Sequence, residues 1–408
     1  MRFLIDNRRW LATGMLLAFG SSFGQTWFIS LFAGHIRAAH GLSDGGWGLI
    51  YMVATLTSAA VLLSRGGLAD TMPLRRLAVG VALVFAAATW IMATAQTVWM
   101  LGLAVFLLRF TGQGMFTHMS VTAMGRWFVA TRGRAVAIAS LGYQMGEALL
   151  PVPIIALIAW IGWREGYAVM GAVLAFGFAP LLYWLLSADR TPAGQVMGDT
   201  TGTPGIAGRH WSRADVLRHW MFWALLPLAL TPGWVGTVVF FHQVHVSEVN
   251  DWSLTRMAAA YPIYAAVTVV SSLLSGAACD RFGPERLLPI LLVPMGLSMV
   301  LIGFANSPVM WAVALSVMGI SQGLINTFWG AFLPRVYGTN HLGSVRAMMT
   351  ALMVVSSAVG PWATGALIDQ GIDFPAQGIG HGLWCLMLAV GLALVSGRVR
   401  RLILASAH

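Results

Sequence analysis

The sequence predicts an all-α membrane protein of twelve transmembrane helices in two six-helix bundles. Three observations predict it. Only 9% of the 408 residues are charged and 58% are hydrophobic, whereas an ordinary soluble domain is about 25% charged. Apolar runs long enough to cross a bilayer recur along the whole chain. The two halves of the chain also match one another at a fixed offset.

The apolar runs fall at 10–34, 46–64, 75–95, 98–124, 134–160, 166–187, 215–245, 254–277, 287–305, 308–334, 343–369 and 380–397. Each is near or above the ~18 residues that a helix needs to span hydrocarbon. Gly, Ala and Pro within them are tolerated in membrane helices. The first run follows Arg8 and Arg9 as a signal peptide would, but it is too long for one and reads as the first span.

Net charge is +10, and every basic residue other than histidine is arginine. Its placement, rather than its sum, carries the information. With the N-terminus in the cytoplasm, 20 of the 24 arginines fall in cytoplasmic segments. Arg37, Arg164 and Arg256 fall outside, and Arg109 lies within a span. That asymmetry is the positive-inside rule. It predicts cytoplasmic termini and an inner-membrane, multi-pass location, and it accounts for the basic balance without a nucleic-acid partner. Cys279 and Cys385 have no metal-ligand spacing, and neither a metal nor a cofactor is expected.

Residues 188–214 form the one long interruption, with Pro, Gly, Thr and charge in linker proportions. Ser212 offers an N-cap to the seventh span, with Asp215 three residues on. The expected division is a bundle over 1–187, a linker over 188–214 and a bundle over 215–408. At an offset of about 210 residues, Gly66 and Asp70 match Gly276 and Asp280, and Gln113-Gly114 match Gln322-Gly323. Arg126 matches Arg335, Gly133 matches Gly343, and Pro151 matches Pro361. Parallel six-helix repeats are a transporter architecture, with the substrate site expected between them near the midplane.

The loop Gly66-Gly67-Leu68-Ala69-Asp70, followed by Arg75 and Arg76, resembles the signature loop of the major facilitator superfamily. The second copy, from Gly276 through Asp280-Arg281-Phe282-Gly283, is closer to the pattern. Thr71 and Pro73 depart from it in the first copy. Arg126-Trp127-Phe128, Arg132-Gly133-Arg134-Ala135, Gly142 and Gly146 resemble the monocarboxylate and oxalate–formate branch. So do Gly162-Trp163-Arg164 and Ser22-Phe23-Gly24. The resemblance implies the major facilitator fold and a basic substrate anchor in helix 8 or 11. Helix 8 here offers Tyr261 and Tyr264 instead, and helix 11 has no charge in its middle.

Two charges stand where charge is costly. Arg109 lies about 11 residues into the fourth span and Glu147 about 13 into the fifth, which puts both near the bilayer centre at ~1.5 Å per residue. A charge at that depth costs roughly 2.5–3.5 kcal/mol. Their counterparts in the second half, Met318 and Ser357, are uncharged, so the scaffold does not require them. Arg109 is expected to bind substrate and Glu147 to couple protons. The competing reading is a neutralised pair that clamps two helices.

At about 100° per residue, Gln113, Thr117 and Ser120 share a face with Arg109, and Tyr143, Gln144 and Glu147 share one on the fifth span. Ala135, Ala139, Gly142 and Gly146 form a separate small-residue stripe suited to packing. Gln322 and Asn326 continue the polar lining by symmetry, and Gln25 and Trp234 are further candidates. Asp70 with Arg126, and Asp280 with Arg335, are expected as cytoplasmic salt bridges that gate the transporter. His242 and His245 near the end of the seventh span are candidates for a pH-sensitive gate. Gly41-Leu42-Ser43-Asp44-Gly45 matches a hydrolase string but lies in a short loop with no triad, and no enzyme is expected.

These readings converge on a secondary transporter, expected as a monomer in the lipid bilayer. It would move a small, monocarboxylate-like organic anion by alternating access with protons. The alternative is a proton-driven exporter of amphipathic or toxic compounds, for which 18 Trp and 22 Met would furnish an adaptable cavity.

Overall fold

The structure, a computed structural model, describes residues 2–128, 131–187 and 203–405, apart from the side chains of Arg2, Asp70, Thr71 and Leu404. Among the described residues the regular structure is entirely helical. By contacts the chain divides into two compact units. One is Met1–Gly198 with Pro361–Ala366, and the other is Asp199–Gly360 with Leu367–His408.

In the first unit, α1 (Arg8–Gly24) and α2 (Thr26–His40) are two arms of one apolar stretch, bent by 44°. They are followed by α3 (Asp44–Arg65), α4 (Leu74–Thr94) and α5 (Val98–Trp127). Next, α6 (Arg132–Leu149) and α7 (Pro151–Ile161) form a second bent pair, at 45°, and α8 (Trp163–Leu185) ends the set. In the second unit a short α9 (Arg213–Arg218) precedes α10 (Trp220–Phe241) and α11 (Leu254–Phe282). The shorter apolar α12 (Leu288–Gly303) leads to α13 (Pro308–Tyr337), α14 (Leu342–Asp369) and α15 (Phe374–Ile403). Among the described residues nine helices are long and apolar enough to cross a membrane, or eleven if each bent pair is one span.

The predicted first and fifth spans are therefore broken, for local reasons. Ser21-Ser22-Phe23-Gly24 winds as a 3-10 turn and Gln25 is extended, with φ −81° and ψ 155°. Short hydroxyl side chains and glycine are poor helix formers. In the second pair Pro151, lacking an N–H, starts a new helix at the bend. The predicted seventh span is also divided. Ser212 and Asp215 form the expected capping box on α9, but α9 stops at Arg218, and α10 starts after an extended His219.

Glycine sets the closest helix approaches. A Cβ on Gly142 would meet the Met15 carbonyl oxygen at 2.1 Å, so α6 lies directly on α1. Ala135, Ala139 and Gly146 are buried along the same stripe. In the second unit Gly323 brings α13 onto α11, where a Cβ would meet the Thr268 carbonyl oxygen at 2.5 Å. Without a hydrophobic drive in lipid, such backbone proximity supplies the van der Waals attraction between helices. Outward-facing side chains are large and apolar. Trp99, Trp160, Phe176 and Leu394 are all strongly exposed, as suits contact with hydrocarbon.

The expected linker lies outside the described residues up to 202. From 203 onward it packs on the second unit. Ile206 and Trp211 are buried, Trp211 Nε1 donates to the Ile206 carbonyl at 3.1 Å, and the Trp211 amide donates to the Tyr337 carbonyl at 3.0 Å.

Candidate functional site

Arg109 opens a π-helical stretch of α5, Arg109–Phe116. Opposite it lies the break between α1 and α2. Gly24 and Gly112 let the two irregular segments meet: a Cβ on Gly24 would come within 2.2 Å of the Leu108 carbonyl oxygen and 2.8 Å of Gly112 Cα. The turn at Gly24–Gln25 leaves the Gly24 carbonyl outside regular helical bonding, and Arg109 Nη1 donates to it at 3.1 Å. The same nitrogen donates to Thr26 Oγ1 at 3.3 Å. Thr26 Oγ1 also hydrogen-bonds the Tyr51 hydroxyl, and the Arg109 guanidinium lies 5.1 Å from the Tyr51 ring centroid.

Arg109 is only 1% exposed, and its Nε has no hydrogen-bond partner among the described residues. The guanidinium thus keeps N–H donors beyond those used by Gly24 and Thr26. Irregular backbone at membrane depth is tolerated where protein or a cavity surrounds it, and π-bulges are frequent at functional sites.

Glu147 is 3% exposed. Tyr143, one turn earlier on α6, donates its hydroxyl to Glu147 Oε1 at 3.3 Å. No ion pair joins Arg109 to Glu147 among the described residues. In this structure a backbone carbonyl and two hydroxyl-bearing residues surround the cation, while Glu147 accepts from Tyr143.

The rest of the predicted face on the fourth span is redistributed. A π turn holds an additional residue, so everything beyond it is rotated by about 100° from the regular 3.6-residue register. Gln113 is half-buried, whereas Thr117 is exposed. Ser120 turns to α1 and donates to the Gly14 carbonyl at 2.8 Å. His118 Nε2 lies 3.2 Å from the Gly66 carbonyl, an interhelical contact. Gln25 is buried, 3.4 Å from Ser21 Oγ.

In the second unit the predicted candidates are dispersed. The Tyr261 hydroxyl donates to Gln243 Oε1 at 2.9 Å, and both Tyr261 and Tyr264 pack on Phe240. Trp234 Nε1 donates to His381 Nε2 at 2.9 Å. Gln322 is half-buried and its Oε1 has no partner among the described residues, while Asn326 is exposed. His245 Nε2 lies 3.7 Å from Asp373, and His242 is buried against Phe374.

Of the two expected gating pairs, one falls on a side chain outside the described residues and the other is found with a different acid in this structure. Arg335 faces Glu285 at 3.3 Å, not Asp280, which is exposed. The 3-10 turn Pro284–Arg286 after Gly283 folds Glu285 back beneath α13 and buries it to 3% exposure. Arg126 donates to the Ala69 carbonyl at 2.9 Å, and the Asp70 side chain lies outside the described residues. Sequence reasoning also passed over Tyr51, which is fully buried. Its signal was a phenol within a predicted span, one to two turns before the hydroxyls of Thr55, Thr57 and Ser58.

The sequence profile of the Major Facilitator Superfamily matches residues 14–277 and 233–402. The probable sulfoacetate transporter SauU of Cupriavidus necator is 26% identical over 392 residues, covering 91% of this chain and 89% of that protein. A gallate transporter of Pseudomonas putida is 24% identical over 307 residues, covering 67% and 66%. A solved bacterial homolog of the human lysosomal transporter Spinster superposes with a TM-score of 0.68 at 15% identity. It covers 98% of this chain and 96% of that one, a likeness of fold.

Proposed function

The chain belongs to the Major Facilitator Superfamily, and on that premise we propose that it carries a small organic anion across the inner membrane by alternating access, coupled to protons through Glu147. It is a multi-pass transporter rather than an enzyme. The finer reading takes twelve spans with cytoplasmic termini, bundles over 1–187 and 215–408 joined by 188–214, and a monomer.

One observation carries the reading: a nearly inaccessible guanidinium, 1% exposed, at the break of a discontinuous helix. Discontinuous helices form substrate sites in many transporters. Arginine with spare donors suits a carboxylate or sulfonate, to which it can give two parallel hydrogen bonds. Two relatives are named for organic anions, sulfoacetate and gallate, which supports the class. Gln25, Gln113 and Tyr143 complete the binding set in this proposal. Thr117, Trp234, Tyr261, Tyr264, Gln322 and Asn326 are secondary candidates.

The proposed coupling runs through α6, where the Tyr143 hydroxyl is bonded to Glu147: a change of proton occupancy at Glu147 alters what Tyr143 can donate to, and Tyr143 belongs to the proposed binding set. Asp70, Arg126, Asp280 and Arg335 remain proposed gating residues.

The test is uptake of labelled sulfoacetate and gallate into proteoliposomes under an inward proton gradient. The wild type should accumulate at least one of them, and Arg109→Gln should not. Glu147→Gln should keep exchange of internal for external solute while losing accumulation. Undiminished uphill transport by Glu147→Gln would remove it as the coupling group.

A further inference from the structure

The second unit contains a cavity of about 640 Å³ between α10, α14 and α15. Its walls include Trp223, Leu230 and Trp234 on α10, Val355 on α14, and His381 and Trp384 on α15. The polar groups along it are largely committed to the walls. Trp234 donates to His381 at 2.9 Å, Trp384 Nε1 to Thr231 Oγ1 at 3.2 Å, and Ser356 Oγ to the Leu230 carbonyl at 2.8 Å. What faces the cavity is therefore mostly hydrocarbon, which disfavours an ion or a polar solute. Pro227 and Pro232 within α10 interrupt its backbone hydrogen bonding where α10 borders the cavity.

Trp223, Val355 and Trp384 are 57%, 47% and 45% exposed, so the cavity is open where large apolar side chains line it. From Trp223 to Trp234 the slot runs about 16 Å at ~1.5 Å per residue. That is close to half of the ~30 Å hydrocarbon core, or one leaflet.

One end of the slot is basic. The contacts Trp234–His381 and Thr231–Trp384 show that α10 and α15 run antiparallel. Arg398 lies 14 residues after Trp384 on α15, about 20 Å along that helix, and Arg218 ends α9 two residues before α10 begins at Trp220, at the same end of the pair. Arg213, on α9 with Arg218, is tied to the start of α14 through the Ser344 carbonyl at 2.9 Å. All three arginines are exposed. The one acid on α9, Asp215, is engaged by Ser212.

We propose that this slot is a phospholipid site, holding one acyl chain along α10 while Arg213, Arg218 and Arg398 receive an anionic headgroup. The depth of one leaflet, the apolar walls and the basic mouth each select that occupant. Basic side chains at a membrane surface attract anionic lipid headgroups electrostatically.

The test uses phosphatidylcholine vesicles containing a minor fraction of phosphatidylglycerol, with brominated acyl chains on one lipid or the other. Bromine quenches tryptophan fluorescence on contact. The difference between wild type and Trp234→Phe isolates Trp234. That difference should be quenched several-fold more by brominated phosphatidylglycerol than by brominated phosphatidylcholine at equal fraction. Leu230→Phe, which fills the slot, should suppress the quenching, and Arg213→Gln, Arg218→Gln and Arg398→Gln together should erase the headgroup preference. Native mass spectrometry gives a second readout on wild type and Leu230→Phe, in case Trp234→Phe fails to fold. One retained phosphatidylglycerol in wild type, absent from Leu230→Phe, agrees with the proposal. An unquenched Trp234, quenching indifferent to Leu230→Phe, or equal quenching by both lipids overturns it.

Discussion

Arg109 and Gly24 are 85 residues apart and joined by a 3.1 Å hydrogen bond from guanidinium to carbonyl. Two departures from regular helix, the π stretch of α5 and the break between α1 and α2, meet at this bond. Each would be costly alone in a membrane, where unsatisfied backbone has no water to turn to. Together they place a cation among fixed oxygen acceptors with donors to spare.

That arrangement depends on the fork of arginine rather than on charge alone. Arg109→Lys keeps the charge but cannot serve Gly24, Thr26 and a bidentate anion together. The expected result is a KM for anion uptake raised about tenfold or more, equivalent to about 1.4 kcal/mol. The concentration dependence of uptake in proteoliposomes measures it, and an unchanged KM would contradict a substrate-binding Arg109.

Packing at the break leaves no room for a methyl group. Gly24→Ala would drive a Cβ into the Leu108 carbonyl and Gly112 Cα, and overpacking of this kind costs about 1–3 kcal/mol. Gly133→Ala is the control, since nothing lies within 4 Å of its added carbon and alanine is the better helix former. Thermal denaturation in detergent should show a clear loss for the first and none for the second.

The revised ion pair makes opposite predictions for two neighbouring acids. Glu285→Gln should destabilise the second unit by about 1.5 kcal/mol, the lower end for a hydrogen bond to a charged group, because Arg335 is 43% exposed and screened by solvent. Asp280→Asn should change stability little. Melting curves of the two variants decide between Glu285 and Asp280 as the partner.

His219 links stability to pH. Partial burial, then the nearby Arg209, hold its pKa below the ordinary 6.5, and its ring packs edge-on against Trp211. The folded protein therefore binds this proton less readily than the unfolded chain. The contribution is complete above ordinary histidine titration, near pH 6.5, and is lost as pH falls from there through the lowered folded value. The melting temperature should drop between about pH 7.5 and 5.5, and less so in His219→Phe. An identical drop in both proteins would exclude His219 as a source.

Arg109 and Glu147 stood out in the sequence because mid-span charge is rare and the second half has Met318 and Ser357 at the matching positions. Their partners did not. A helical wheel assumes constant winding, and the π stretch breaks that assumption at Arg109 itself, turning Ser120 to α1 and leaving Thr117 exposed. Tyr51 was overlooked because a phenol within a span is unremarkable until its hydroxyl meets Thr26. Glu285 was overlooked because a three-residue turn, not helical periodicity, brings it under Arg335.

Composition and the recurrence of long apolar runs were enough to specify a helical membrane protein, since bilayer thickness and charge cost act on the linear chain. Which groups touch was settled by folding alone. Close glycine contacts, broken helices and altered winding depend on segments distant in sequence, and they give Arg109 the Gly24 carbonyl and Thr26 as partners and Glu147 the Tyr143 hydroxyl.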